Sequence, residues 1–277
     1  MTPRVFPMTL AASLAWLLAL LLAFPVLAEE EEKQALAGNL LDSLHQFRLQ
    51  NFLALNAYYS YSVTPDRERI QEINNAMSRS RRLLERARKQ VGDSLSGSSM
   101  DELASAFRDF QKQMDTNVAD IRESGYPDLR LLSNMAEQAQ TLSLLSEKIY
   151  QQVASQGRTP TREEVQLARE ASITMALMVT RYSARTSSSV SQVFQGADSD
   201  RSIDELALRF DELLRQLDLR MNNDGSQDLL ARVNSQWEFI RNSYIHYDER
   251  NVSFVINRYS LQIIDTMEDL VNRLNNT

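Results

Sequence analysis

The sequence predicts an all-α protein: a tandem up-and-down helical bundle built from a duplicated three-helix unit plus a long C-terminal helical segment. Three observations carry that expectation. Apolar residues recur at alternating three- and four-residue steps, the spacing of a seam between packed helices, and no segment alternates with the two-residue period of a strand. Glycines 92, 97, 125, 157, 196 and 225 fall where the seams stop, and Pro65, Pro127 and Pro160 stand where new ones begin, the place a helix best tolerates proline. Finally, Ser99 to Asp115 and Ser202 to Asp218 run in register without a gap. They share Ser99/Ser202, Asp101/Asp204, Glu102/Glu205, Leu103/Leu206, Ala104/Ala207, Phe107/Phe210, Gln113/Gln216 and Asp115/Asp218. Such self-similarity marks duplicated helical units.

Residues 1–28 read as a secretory signal peptide. Arg4 is the only charge before the apolar run from Leu10 to Phe24, and Val26-Leu27-Ala28 supplies small residues at a cleavage site ahead of Glu29-Glu30-Glu31-Glu32. Cleavage after Ala28 is expected, leaving a periplasmic chain with no stable membrane span; an uncleaved anchor is the alternative, and no cysteine follows the site to make a lipoprotein.

Helices are expected at 30–62, 65–91, 100–123, 127–156, 160–195, 202–222 and 226–275. Ser99 with Glu102, and Ser202 with Glu205, have capping-box spacing, in which the serine accepts an N–H of the first turn and the glutamate reaches back. Behind them, Met100, Leu103, Phe107, Phe110 and Met114 form one seam, and Ile203, Leu206, Phe210, Leu213 and Leu217 repeat it. Thr64-Pro65 and Thr159-Pro160 open matching helices, with threonine as cap and proline as first helical residue. The chain therefore divides into repeat 1 at 29–124, repeat 2 at 125–225, and a C-terminal segment at 226–277 that is a long helix or a helical hairpin. In that segment the seam through Trp237, Ile240, Tyr244 and Tyr247 resumes out of phase at Val252, Ile256, Tyr259, Ile263, Leu270 and Leu274, so a kink or turn is expected near Asp248–Asn251.

Composition limits function. With 43% hydrophobic residues among 277, the chain buries a core, and its net charge of −7 argues against nucleic acid as a partner. Cysteine is absent, which removes disulfides, thiolate chemistry and cysteine-held metals. No H-E-x-x-H, phosphate loop or G-x-S-x-G motif occurs. Asp42 and His45 have the i, i+3 carboxylate–histidine spacing of di-iron bundles, but His246 has Ser243 in the matching place, so neither metal nor other cofactor is expected, and no enzyme. Arg79, Arg81, Arg82, Arg86, Arg88 and Lys89 read as a solvated helix face, with an acidic partner or lipid headgroups as the alternative. The tyrosines and Trp237 read as core. Arg181 and Arg185, beside a run of small hydroxylated residues that includes Thr186 and Ser189, are candidates for a polar site that holds a small anion, the other reading being close helix approach allowed by the small side chains.

Leu36-Ala37-Gly38 at the start of the first helix and Leu129-Arg130-Leu131-Leu132-Ser133-Asn134 at the start of its counterpart give the chain a family resemblance. It resembles the extracytoplasmic sensor region of type IV pilus methyl-accepting chemotaxis transducers, a helical input module related to that of nitrate/nitrite sensor kinases. That family's first helix carries a pattern close to L-A-G-R-x-R-M-L-S-Q-R. Arg130, Leu131, Leu132 and Ser133 match its R-M-L-S core, and Asn134 replaces its glutamine. Asn39-Leu40-Leu41 stand where the pattern has arginines after Gly38, and Met135 replaces the last arginine. The resemblance implies ligand contacts at Arg130, Ser133 and Asn134. With no second membrane segment, signalling coiled coil or kinase in the sequence, it implies a stand-alone periplasmic relative. The expected function is a non-enzymatic, sensor-like binding or adaptor module for a small anion or an envelope protein. The alternative is an envelope assembly protein that forms a homo-oligomer through the seam of 252–274.

Overall fold

The computed structural model describes residues 38–91, 97–155, 162–187, 201–221, 225–248 and 252–276. The fold is all-α. Among the described residues there are eight helices and no strand: α1 at 38–63, α2 Arg67–Val91, α3 Gly97–Ser124, α4 Leu129–Ser155, α5 Glu163–Ser187, α6 Ile203–Arg220, α7 Gln227–Ile245 and α8 Ser253–Asn275. None is long and apolar enough to cross a membrane. The expected signal peptide, Thr159-Pro160 and Ser189 lie outside the described residues.

Local chemistry sets the ends. The Asp66 carboxylate accepts the Arg69 N–H at 2.8 Å, and Asp128 accepts those of Arg130 and Leu131 at 2.8 and 3.1 Å. Aspartate therefore caps α2 and α4, with Pro65 and Pro127 just outside the helix rather than in its first turn. An ionised oxygen is a stronger acceptor for the open N–H groups than the hydroxyl of Thr64. At α6, Glu205 reaches back to the Ser202 N–H at 2.7 Å, as the capping-box spacing predicts. Helix α3 instead begins at Gly97, so Ser99 lies inside its first turn and is not the cap that its spacing to Glu102 predicts.

Gly125 closes α3 with φ +83°, its N–H donating to Ile121 O at 2.9 Å. A Cβ there would meet no atom within 4 Å, so the penalty for a side chain is conformational alone. Gly125→Ala is expected to lower stability by about 1 kcal/mol, the cost of holding an L-residue in the left-handed region; a urea titration that shows no loss would exclude this account.

The C-terminal segment is two helices. Helix α7 ends where the His246 N–H donates to Asn242 O, and α8 packs back against it, with the Tyr244 hydroxyl 2.7 Å from Ser260 Oγ. The shift of seam phase is thus the start of a second helix.

Burial separates two cores. The first joins α1–α4 through residues such as Phe47, Phe107, Phe110, Leu132 and Met135, with Phe47 and Phe107 edge-to-face at 5.2 Å. The second joins α5–α8 around Phe210, Trp237, Ile240 and Met267. Asp211 ties α6 to α7, accepting Trp237 Nε1 at 2.7 Å and Arg241 Nη2 at 2.7 Å. The two repeated seams are buried throughout, one in each core. Helix α4 buries Leu132, Met135, Ala139 and Leu142 with α1–α3, so packing groups the helices by fours and not in the three-helix units expected from the sequence.

Helices α1 and α5 are buried on nearly all sides. They run parallel: Asp42, Phe52 and Asn56 meet Arg169, Thr180 and Ser183 at sequence separations of 127, 128 and 127. These two helices carry the junction between the cores. The basic residues of α2 lie on its exposed face, in keeping with a solvated strip.

Candidate functional site

A helix that serves two cores needs an apolar stripe for each. Helix α1 has one toward α2–α4, but its stripe toward α5 and α8 mixes Leu49 and Phe52 with Asp42, His45, Gln46 and Asn56. Buried polar groups need partners, and α5, α8 and α4 supply them.

Glu268 of α8 is the centre of one cluster. Its carboxylate lies 3.0 and 3.2 Å from His45 Nε2 and accepts Ser172 Oγ at 2.5 Å and Gln46 Nε2. Burial pushes this carboxyl up, but the charge and hydrogen bond of His45, with the hydrogen bonds from Ser172 and Gln46, outweigh burial and hold it below its ordinary value. Farther along, Asn56 Nδ2 donates to Asn257 Oδ1 at 2.8 Å and its own Oδ1 accepts Ser183 Oγ at 2.7 Å.

Beside the Glu268 cluster, the bundles leave a cavity of about 320 Å³ between α1, α4, α5 and α6. One wall is charged. Arg169, 5% exposed, donates through Nη1 to the Tyr150 hydroxyl at 3.2 Å and through Nη2 to Asp42 at 3.3 Å, while its buried Nε has no hydrogen-bond partner. Its guanidinium lies 6.0 Å from the Tyr150 ring centroid, within cation–π range. Arg48 donates to Ser143 Oγ at 2.6 Å and pairs with Glu147; burial lowers its guanidinium and Glu147 opposes that shift. Glu170 accepts Arg209 Nη2 at 2.6 Å. Leu44, Ile173, Leu177 and Leu206 form an apolar wall.

The residues singled out from sequence lie elsewhere. Arg130 and Asn134 are exposed and Ser133 half-buried in the first turns of α4. Arg181 is buried, and its Nη1 donates to the carbonyl of Arg201, which anchors the chain entering α6. Arg185 lies 4.9 Å from the Tyr247 ring centroid. None of the five lines the large cavity. Thr186 lines a second cavity of about 270 Å³, with Ser183, Asn257 and the exposed Phe254.

Asp42 and His45 turn to different partners, Arg169 and Glu268. Among the described residues, no group of three or more His, Asp or Glu side chains is placed to hold a metal ion. Arg48, Arg169, Tyr150 and Glu268 were not anticipated. The one available signal was the interruption of the α1 seam by Asp42, His45 and Gln46. No family model matches the chain, and no curated protein or solved structure matches it.

Proposed function

We propose that the protein is a non-enzymatic binding module, sensor-like in construction, which takes a small ligand in the cavity where its two bundles meet. The carrying observation is that cavity: it is lined by α1 and α4 from one core and α5 and α6 from the other, with the half-buried Arg48 and the buried Arg169 in its lining. An occupant that touches both bundles stabilises their mutual arrangement, which is what a sensory input or adaptor module requires of its ligand. The periplasmic address and the kinship with type IV pilus transducer input domains belong to this reading; they rest on residues 1–28 and on the Leu129–Asn134 stretch. Binding is favoured over assembly through the 252–274 seam because Ile256, Ile263, Leu270 and Leu274 of that seam are buried in the second core.

The test is a thermal-shift screen of the full chain against nitrate, phosphate, carboxylates, amino acids and short peptides. A ligand that binds only the folded state adds ~2.7 kcal/mol at 100 times its dissociation constant. The expected result is a dose-dependent rise in Tm that Ala154→Trp abolishes, since Ala154 lines the cavity and is only half-buried. A rise that survives Ala154→Trp but is lost on Arg130→Ala moves the site to the start of α4. No rise with any compound sinks the reading.

A further inference from the structure

We infer that the junction cavity is built for an apolar monocarboxylate: a small acid whose carboxylate meets Arg169 and Arg201 and whose hydrophobic body lies on Leu44, Ile173, Leu177 and Leu206. The inference rests on the binding reading above and assigns its ligand class.

Hydrogen-bonding capacity points to an anion. Both carboxylates in the wall are engaged, Glu147 by Arg48 and by Gln151 at 2.6 Å, and Glu170 by Arg209 through Nε and Nη2 at 2.9 and 2.6 Å. Each therefore already carries a guanidinium partner, and a cationic ligand would have to share it, at Glu170 through Oε2. The guanidinium groups are less fully engaged. Arg201 makes no side-chain hydrogen bond or ion pair with the described residues, and Arg169 is held only by contacts of 3.2 and 3.3 Å, its Nε unpartnered. A guanidinium in a poorly hydrated site favours a planar carboxylate, which accepts two N–H groups side by side. Arg48, held more closely by Ser143 at 2.6 Å and by Glu147 than Arg169 is by Asp42 at 3.3 Å, provides no second anion position, so one carboxylate is expected and not two.

The apolar part of the lining favours an organic acid over a bare ion. Leu44, Ile173 and Leu206 are already only 1, 7 and 5% exposed, so the gain comes chiefly at the half-buried Leu177, where an aliphatic body gains about 25 cal/mol for each Å² of apolar surface removed from water. The volume of about 320 Å³ lies at the low end for ligand pockets, which limits the occupant to a small molecule. An α-ammonium group adds a charge that only carboxylates already paired with Arg48 and Arg209 could receive, so a plain acid is favoured over the amino acid of the same shape.

Isothermal titration of the full chain with 4-methylpentanoate, acetate, leucine and 4-methylpentanamide tests this. Saturable binding of 4-methylpentanoate is expected, at least tenfold tighter than any of the other three. Arg201→Ala, at an exposed position, is expected to weaken it at least tenfold with the ligand-free unfolding midpoint unchanged, and Leu177→Asn to weaken the acid but not acetate. Equal affinity for acetate or for the amide, or tighter binding of leucine, overturns the ligand class. So does a series in which nothing binds; if another compound of the thermal-shift panel is then blocked by Ala154→Trp, the cavity still stands as a site. Binding of 4-methylpentanoate that Ala154→Trp leaves intact places the acid elsewhere and overturns both.

Discussion

Glu268→Ala is expected to lower the free energy of unfolding by about 3–5 kcal/mol, the cost of removing one member of a buried charged cluster and leaving the others without their acceptor. The carboxylate is the shared partner of His45, Gln46 and Ser172, which come from two other helices, so its loss strands the buried His45 and Ser172 and the half-buried Gln46 at once. The same carboxyl carries a pH signature. Its folded value is held below its ordinary one, so its contribution is complete above the unfolded carboxylate value, about 4.3, and is lost as pH falls through the folded value. Stability of the native chain should therefore fall steeply in acid, and Glu268→Gln should flatten that limb while it also lowers stability at neutral pH. Urea titrations at pH 7 and at several values below about 4.3 measure both. An acid limb of unchanged steepness in Glu268→Gln would show that the carboxylate does not hold the junction.

Phe107→Ala and Phe210→Ala are each expected to cost about 3–5 kcal/mol. The two phenylalanines occupy equivalent places in the sequence repeat, and each is fully enclosed, at 2% and 0% exposure. They sit in different cores: Phe107 meets Phe47, while Phe210 meets Trp237 edge-to-face at 4.8 Å. Sites with no shared neighbours add to within about 0.5 kcal/mol. The double alanine variant would approach the whole stability of a typical domain, so additivity is best read from Phe107→Leu combined with Phe210→Leu. A coupling well above about 0.5 kcal/mol would mean that the cores respond to each other through α1 and α5.

The helices were legible because their signals are local. Seams at three- and four-residue steps, the spacing of Ser202 and Glu205, and glycine at position 125 each act within a few residues, and each has its structural counterpart. The start of α2 was misplaced because Thr64, Pro65 and Asp66 stand together and compete for one turn, and that of α4 because Pro127 stands next to Asp128, which caps the helix. The candidate site was not legible in the same way. Arg181, singled out because it stands among small polar side chains, donates through Nη1 to the carbonyl of Arg201 and lies outside the large cavity. Arg169 sits in a helix with little amphipathic contrast, and its neighbours in space, Asp42 and Tyr150, lie 127 and 19 positions away.

Sequence alone determined that the chain is all helical, where most helices begin and end, and which residues form the seams, because backbone hydrogen bonds and the helical period are set by near neighbours. Only the tertiary structure decided that α4 joins the first core, that α1 and α5 lie side by side in parallel, and that His45 meets Glu268. Those outcomes depend on which amphipathic face meets which. Many pairings of apolar seams are nearly equivalent in burial, and the choice among them falls to polar groups such as His45, Arg169 and Asn56, which must find partners once water is removed.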